Sequence, residues 1–324
     1  MSYQALSWKE AITPMMNFNA AVTEEGILLK HQKHFHPGDL FHCGQAFRWE
    51  EISRTHFLLV AFGRVIEVIK KEEDLLLLGA DEEDFQSIWR SYFDLDTDYG
   101  RIQEILTKND PVMKKAVDFG KGIRILKQEP FETFITFIIS SNNNIKRIRG
   151  SIEGIAKSFG KPIGVYRGRM RYAFPTPEEL AKASEEELKR LGLGYRARYV
   201  KESTKRIAED PGILESYMDH NRSACMNAIT AYPGVGPKVG NCIVFFAMGK
   251  LDAFPVDVWV KRVMEVLYFK EETSVKTIEN FARETFGEYA GYAQQYLFYY
   301  ARENRLKDIK RNKGQQRERK GKKG

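Results

Sequence analysis

Cysteine is scarce in this sequence. The 324 residues include only three, at Cys43, Cys225 and Cys242. So small and odd a number predicts no disulfide framework and excludes a four-cysteine iron–sulfur cluster built from this chain alone. The stretch HQKHFH at 31–36 has no cysteine or carboxylate at zinc spacing. We therefore expect neither a metal site nor a cofactor, although His34 and His36 would share one face if this stretch were a strand.

Long apolar segments are also missing. The longest run, about residues 242–248, is far shorter than the roughly 20 apolar residues that span a bilayer. Residues 1–20 show no basic start followed by an apolar run, as a secretion signal would. These absences predict a soluble protein without membrane contact. A prokaryotic cytoplasm is the expected location.

Excess charge is missing from most of the chain. The formal net charge is +7, and residues 310–324 account for all of it with eight of the 51 basic residues and one of the 44 acidic residues. This segment, KRNKGQQRERKGKKG, has no apolar residue to bury and is predicted to be disordered. It either contacts phosphates through charge alone or serves only as a solubilising tail.

β-rich segments dominate the first third of the chain. Four of them, separated by turn residues, predict strands at 26–32, 47–52, 56–63 and 64–69. From Asp81 onward, acidic residues at helix starts and apolar residues at helical spacing predict helices. After residue 111 the pattern stays helical to about residue 306, with clear examples at 129–141 and 144–159.

Two helical patterns meet at the glycine-rich turn PGVG, residues 233–236. Gly234 and Gly236 permit backbone torsions that other residues resist. A glycine turn that leads into a helix offers free N–H groups and the positive end of the helix dipole to a phosphate. Glycine turns also serve as plain connections between helices, so the turn alone does not decide between these functions.

Lys238 lies in the first turn of the second helix, where a cation opposes the helix dipole. The dipole and partial burial favour the neutral amine, which a nucleophilic lysine requires. Cys242 follows one turn later on the same face. A surface lysine that contacts a phosphate is the alternative, and the position of Lys238 alone does not exclude it.

Asp257 stands in the apolar frame PVDVW, residues 255–259. It is a good N-cap for the helix that follows. A cap carboxylate held near an amine also stabilises a developing cation. The two functions are compatible, so the pair Lys238 and Asp257 indicates chemistry at this hairpin.

The segment PGVGPKVGNC, with PVDV after it, resembles the helix-hairpin-helix DNA glycosylase superfamily. A lysine at position 238 is similar to that of the bifunctional members, which also cut the DNA strand. Further stretches narrow the match to the 8-oxoguanine DNA glycosylase/AP lyase family: GQAFRW at 44–49, SSNNNIKRIRG at 140–150, LGLGYRARYV at 191–200 and GYAQQYLFYYA at 291–301. The resemblance extends to about Arg305.

With the strand and helix patterns, this resemblance implies an α+β fold. An N-terminal antiparallel β-sheet domain is expected over residues 1–115. An all-α glycosylase domain is expected over 116–308, with the helix-hairpin-helix at about 222–249. The disordered basic tail would occupy 309–324.

The resemblance also implies a function for each matching residue of the reaction site. Lys238 would attack the deoxyribose C1′ and form a Schiff base, and Asp257 would stabilise the sugar cation and assist proton transfer. The flipped purine would be held by Cys242 and Phe298 on its two faces, by the carbonyl of Gly44 at N7–H, and by Gln294 at its Watson–Crick edge. Gln294 and Phe298 are four residues apart, so a helix places them on one face.

Other matching residues would contact the duplex. Asn142 would fill the gap left by the flipped nucleotide, with Tyr195 as a wedge beside it. Arg147 and Arg196 would read the orphaned cytosine, Arg147 from the polar face of its helix and Arg196 from a loop. The hairpin glycines Gly234 and Gly236 would receive a phosphate. Many relatives have a histidine where this chain has Trp259, which we leave out of the expected catalytic set.

The predicted function is excision of 8-oxoguanine, preferably opposite cytosine in double-stranded DNA, by base flipping and Schiff-base chemistry, with β-elimination afterwards. The enzyme is expected to act as a monomer in association with the nucleoid. Another oxidised purine, such as a ring-opened formamidopyrimidine, is an alternative substrate. A mismatch adenine glycosylase usually carries an iron–sulfur cluster, which the cysteine count excludes. A noncatalytic helix-hairpin-helix DNA-binding module is the alternative outside the enzymes, but it leaves Lys238, Asp257 and the Gln294/Phe298 pair unexplained.

Overall fold

The computed structural model describes residues 13–14 and 19–306; the basic tail predicted at 309–324 lies outside them. A seven-stranded antiparallel sheet comes first, with the spatial order β1-β2-β3-β7-β6-β5-β4. Its strands are β1 (Thr13–Pro14), β2 (Ala20–Val22), β3 (Gly26–Leu29), β4 (Trp49–Ser53), β5 (His56–Ala61), β6 (Arg64–Lys71) and β7 (Asp74–Leu78).

Side-chain alternation gives the sheet its buried face. Phe57 pairs with Val68, which pairs with Leu77, so these three side chains share one face. All three are fully buried in the core that the sheet forms with neighbouring helices. This apolar face fixes the register, because a slip by one residue would turn it towards solvent.

Helices make up most of the remaining chain. The α-helices are α1 (Pro37–His42), α2 (Glu82–Asp84), α3 (Arg90–Tyr92), α4 (Tyr99–Thr107), α5 (Pro111–Phe119), α6 (Pro130–Ser140), α7 (Ile145–Phe159), α8 (Pro177–Leu180), α9 (Glu185–Leu188), α10 (Arg196–Glu209), α11 (Ile213–Met218), α12 (Arg222–Thr230), α13 (Pro237–Phe246), α14 (Val258–Val263), α15 (Val275–Phe286) and α16 (Ala290–Glu303). Wider π-helical turns occupy Phe85–Trp89, Lys189–Leu193 and Met264–Phe269, and a 3₁₀ turn occupies Gly287–Tyr289.

The helices enclose a second and larger core. Helix α13 contributes most of its length to it, including Ile243, Val244 and Phe245, which are fully buried. Helices α4 and α5 also belong to this core through Tyr99 and Met113. The domain ranges 1–115 and 116–308 stay predictions. In the described part of the chain, every helix is too short or too polar to cross a membrane.

The predicted order of an antiparallel sheet followed by a helical domain is confirmed. Uninterrupted helix after residue 111 is wrong, because a hairpin of β8 (Pro162–Tyr166) and β9 (Arg169–Tyr172) lies between α7 and α8. Its signal is the two-residue turn Arg167-Gly168 between short β-rich segments. Strand β7 was missed because its four consecutive leucines show no alternation.

The strand predicted at 26–32 is shorter in the structure and does not reach the histidine-rich stretch. Strand β3 ends at Leu29, and His34 and His36 lie in the irregular segment before α1. The Nδ1 atom of His34 lies 2.9 Å from Oε1 of Gln103. His36 Nδ1 lies 3.9 Å from Oδ1 of Asp39. The two histidines thus face different partners.

The segment GQAFRW at 44–49 joins the sheet to the helices. The Nε2 atom of Gln45 donates to the carbonyl of Arg124 at 2.7 Å, and Arg48 Nε lies 3.1 Å from Oε1 of Glu153 on α7. The guanidinium of Arg149 lies over the Trp49 ring at 4.1 Å. Because Gln45 and Arg48 are buried, these contacts hold the segment firmly against the helical core.

Candidate active site

The predicted hairpin is present between α12 and α13. The amide of Val235 closes the turn by donating to the Tyr232 carbonyl at 3.2 Å, and Tyr232 packs on Phe134 with ring centroids 5.0 Å apart. Gly234 has a φ of +78°, and a Cβ there would lie 2.4 Å from Cδ2 of Tyr199. The hairpin is therefore pressed against α10 in a conformation that requires glycine at this position.

Replacing Gly234 with alanine is expected to destabilise the protein by about 2 kcal/mol or more, since left-handed torsions and overpacking both oppose the added Cβ. Urea unfolding monitored by circular dichroism measures the effect. Gly236→Ala is the matched control, because its φ is −83° and no atom lies within 4 Å of the added Cβ. Equal stability losses in the two variants would contradict the proposed close contact with Tyr199.

Lys238 is the second residue of α13, after Gly236 as N-cap and Pro237 at the first helical position. Its side chain is exposed, unlike Cys242 one turn later, which is buried. Burial raises the pKa of the Cys242 thiol, and the nearby Lys238 ammonium opposes that shift. Cys242 is thus a neutral, polarisable surface beside the lysine at neutral pH.

Asp257 caps α14 as predicted. Its Oδ1 accepts hydrogen bonds from the amides of Trp259 at 2.9 Å and Val260 at 2.8 Å. Burial raises the pKa of the Asp257 carboxyl, against the opposing effects of the Val260 hydrogen bond and of the Lys238 charge. The carboxylate therefore lies within the field of the lysine, although Lys238 and Asp257 come from different helices.

A cleft of about 1150 Å³ opens above these two residues. Its lining includes Gly44, Asn142, Arg147, Lys238, Asp257 and Phe298, which are six of the predicted site residues. The cations of the lining are Lys146, Arg147, Lys238, Lys261 and Arg302, and Asp257 is its only carboxylate among the described residues. Lys261 and Arg302 pair with Glu265 and Glu303 outside the lining, which leaves Lys146, Arg147 and Lys238 in excess over Asp257. Although residues 1–309 are neutral overall, this cleft is therefore positive, as expected for a site that receives a polyanion.

Other predicted site residues lie beside the cleft rather than in its lining. Cys242 and Gln294 are buried behind its wall, with 5% and 4% of their surfaces exposed. Nε2 of Gln294 donates to the carbonyl of Pro255 at 3.2 Å, whereas its Oε1 is buried without a hydrogen-bond partner among the described residues. An unpaired buried acceptor at this place is suited to a polar ligand.

Arg196 differs from its prediction as a loop residue. It begins helix α10 and is buried. Its Nε donates to the carbonyl of Ser141 at 2.8 Å, and its Nη2 donates to that of Asn142 at 2.8 Å. Arg196 therefore holds Asn142, which is exposed and has a φ of +47°. Tyr195, stacked under the same guanidinium at 4.4 Å, is 56% exposed beside them.

Helix α16 brings Phe298 to the loop that carries Gly44. A Cβ on Gly44 would lie 3.2 Å from Cε1 of Phe298 and 3.2 Å from Nη1 of Arg302. Arg302, Lys146 and Lys261 were not predicted from the sequence. The spacing 294, 298 and 302 on one helix face is a signal that could have found Arg302.

Two sequence models of known families match nearly the whole described chain. The one described as "8-oxoguanine DNA glycosylase, N-terminal domain" matches residues 27–134. The one described as "HhH-GPD superfamily base excision DNA repair protein" matches residues 135–288. The two ranges adjoin and contain strands β4 to β7, most of β3, the hairpin, Lys238 and Asp257.

Individual relatives agree with these matches. The "Probable N-glycosylase/DNA lyase" of Methanothermobacter thermautotrophicus is 32% identical over 247 residues, which cover 70% of this chain and 76% of the relative. The N-glycosylase/DNA lyase of Saccharomyces cerevisiae is 30% identical over 250 residues, covering 69% and 66%.

A solved structure agrees over a still larger share of the chain. The Clostridium acetobutylicum 8-oxoguanine glycosylase/lyase, solved with double-stranded DNA containing cytosine opposite 8-oxoG, superposes with a TM-score of 0.85. It is 42% identical and covers 88% of this chain and 98% of its own. The chain is therefore a DNA glycosylase and lyase of the 8-oxoguanine DNA glycosylase family, within the HhH-GPD superfamily of base excision DNA repair proteins.

Proposed function

We propose that this protein excises 8-oxoguanine from double-stranded DNA, with a preference for cytosine opposite the lesion. The observation that carries the proposal is the positive cleft in which Lys238, Asp257, Gly44 and Phe298 meet. A duplex conceals the C1′ atom of each nucleotide, so the damaged nucleotide is flipped out of the stack into this cleft.

Lys238 acts as the nucleophile. Its amine attacks C1′ of the flipped nucleotide, the bond from C1′ to the base breaks, and the base leaves with the electron pair. Loss of a proton from the nitrogen and opening of the sugar give an imine between the lysine and C1′. Removal of a proton from C2′ then expels the 3′ phosphate by β-elimination, which cuts the strand.

Asp257 stabilises the positive charge that develops on the sugar as the base leaves. The half-buried carboxylate is held in place by two backbone amides, so it needs no reorganisation during the reaction. Cys242 and Phe298 hold the two faces of the flipped purine, and Gln294, with its unpaired buried oxygen, binds the Watson–Crick edge. The carbonyl of Gly44 accepts the N7–H that guanine lacks.

The duplex is held by residues around the mouth of the cleft. Asn142, kept in place by Arg196, enters the gap left by the flipped nucleotide, and the exposed Tyr195 wedges beside it. Arg147 reads the orphaned cytosine, and the buried Arg196 contributes through the carbonyls of Ser141 and Asn142 that it binds. Gly236, whose surroundings are open, and Gly234 receive a phosphate at the start of α13.

Borohydride trapping tests this function. The protein is mixed with a duplex containing one 8-oxoguanine opposite cytosine, borohydride is added, and a covalent protein–DNA band is sought on a denaturing gel. We expect a band with the lesion duplex and none with an undamaged duplex of the same sequence. Lesion-independent binding without any band would contradict the enzyme function. A band only with a duplex that contains formamidopyrimidine would mean that this lesion, and not 8-oxoguanine, is the substrate.

The opposite-base preference is tested through Arg147. Arg147→Ala is expected to relax discrimination among the four opposite bases, because a base-reading arginine contributes roughly tenfold or more in selectivity. Single-turnover excision rates with each opposite base measure it. Lys157→Ala, which removes an exposed cation from the far end of α7, is the matched control. Unchanged discrimination in Arg147→Ala would remove Arg147 from the recognition set.

A further inference from the structure

Arg302 extends from α16 to the wall of the cleft, one helical turn beyond Phe298. Only 15% of its side chain is exposed. Its Nη2 donates to the carbonyl of His42, and its Nε donates to Oε1 of Glu303 at 3.0 Å. The guanidinium carbon lies 5.3 Å from the centroid of the Phe298 ring. The side chain is therefore held by the His42 carbonyl, by Glu303 and by the Phe298 ring.

The third nitrogen of this guanidinium, Nη1, differs from the other two in its hydrogen bonding. Nη1 is buried and has no hydrogen-bond partner among the described residues. Buried charged donors without an acceptor are costly, so proteins seldom keep one without a reason. Nη1 lies 3.2 Å from the position that a Cβ on Gly44 would take, which places it at the wall where Gly44 meets Phe298.

Resting on the proposed function, we propose that Arg302 is a specificity-determining residue whose Nη1 donates a hydrogen bond to the C8 carbonyl oxygen of the flipped lesion. 8-Oxoguanine differs from guanine at two adjacent atoms. N7 carries a hydrogen, and C8 carries a carbonyl oxygen. A carbonyl acceptor at Gly44 and a donor at Arg302, two neighbouring residues of the cleft lining, would match this pair of changes.

Guanine would make neither of these two hydrogen bonds. Its N7 lone pair would face the Gly44 carbonyl, and its C8–H would leave the buried Nη1 donor unpaired. A site built around hydrogen bonds rejects a ligand that lacks them more strongly than an apolar pocket rejects a small change in size. The two contacts together therefore explain discrimination better than the N7 contact alone.

The groups around Arg302 indicate that the acceptor for Nη1 comes from the ligand and not from the protein. Asp257 feels the Arg302 charge, which lowers the pKa of its carboxyl against the larger effect of burial. However, Asp257 makes no hydrogen bond to Arg302 Nη1 in the described residues, and Glu303 pairs with Arg302 through Nε and Nη2 instead. The carboxylates near Arg302 thus leave Nη1 available to a base in the cleft.

The test compares two lesions with three proteins. 8-Thioguanine keeps N7–H but replaces the C8 oxygen with sulfur, a weaker acceptor. Single-turnover base release is measured for the unsubstituted protein, Arg302→Met and Arg302→Lys, on duplexes with 8-oxoguanine or 8-thioguanine opposite cytosine. Arg283→Met, at an exposed position of α15, is the matched control.

We expect Arg302→Met to release 8-oxoguanine about tenfold to a hundredfold more slowly, the range for loss of a charged hydrogen bond, and to leave the rate with 8-thioguanine within about twofold. A thermal unfolding scan verifies that the variant folds. If it does not fold, Arg302→Lys takes its place in the same comparison. This variant keeps the charge but cannot reach both the His42 carbonyl and the lesion, so slower release is again expected with 8-oxoguanine and not with 8-thioguanine.

Equal losses on the two lesions would overturn the inference, because an arginine that only anchors the loop and Phe298 would affect both. Failure of the unsubstituted protein to release 8-oxoguanine at all would overturn the proposed function and this inference with it. The two failures are distinguishable, since the first requires an active unsubstituted protein.

Discussion

Lys238→Gln is expected to abolish base release and strand cleavage together, by at least about a thousandfold each, because both depend on the same amine. Glutamine is of similar length, but its amide nitrogen is not a nucleophile. The position is exposed on the first turn of α13, so the fold loses no core contact. Base release and strand cleavage are measured separately, with and without alkali treatment of the abasic product.

DNA binding should survive this substitution. Lys238 is one of five cations that line the cleft, so its loss should reduce the dependence of log K on log salt by about one. Lys276→Gln is the matched control, since Lys276 is also an exposed second residue of its helix, α15. It should keep full activity. Base release by Lys238→Gln at the unsubstituted rate would mean that water, not the lysine, displaces the base.

The parts of the site that rest on local sequence were predictable. Asp257 as an N-cap, Lys238 in the first turn of its helix and Cys242 one turn later all follow from neighbours within a few residues. The start of α7 near residue 144 was also predicted, and its N-cap is Asn144, a residue type that favours helix starts. Such features depend on hydrogen bonds that the segment makes with itself.

The parts that depend on distant segments were not predictable. Arg196 looks like a surface residue in the sequence, yet it binds backbone carbonyls 54 and 55 residues away. Arg302 reaches the carbonyl of His42, 260 residues earlier in the chain. The periodicity of apolar residues does not predict contacts between such distant residues. They form only when the fold brings α7, α10 and α16 together.

The charge of the protein is likewise predictable from the sequence only in part. Composition correctly places the whole net charge in residues 310–324 and leaves the rest of the chain neutral. It does not reveal that, within the described residues, five cations from four helices and a single carboxylate line one cleft. DNA binding by the body therefore depends on where the charges lie, and the tail is not needed to explain it.

Asp257→Asn is expected to slow base release by about a hundredfold or more, because it removes the charge that stabilises the sugar cation while keeping the shape of the side chain. Asparagine caps helices as well as aspartate does, so α14 should keep its start. Single-turnover base release measures the effect. Asp110→Asn is the matched control, since Asp110 caps α5 by accepting from two amides at 2.8 and 2.9 Å but lies outside the cleft lining.

The same substitution, Asp257→Asn, is expected to slow base release but not to lower the stability of the folded protein at neutral pH. Burial raises the pKa of the Asp257 carboxyl in the folded state, so the folded protein holds this proton more tightly than the unfolded chain does. The stability that comes from the bound proton is present in acid and is lost as pH rises through the raised pKa. At neutral pH the half-buried charge of Asp257 thus destabilises the folded state, and Asp257→Asn lacks this charge. The melting temperature of the variant should equal or exceed that of the unsubstituted protein at pH 7, and the difference should shrink in acid. A variant that is less stable at pH 7 but recovers in acid would mean that the ionised carboxylate stabilises the fold, and the raised pKa would be refuted.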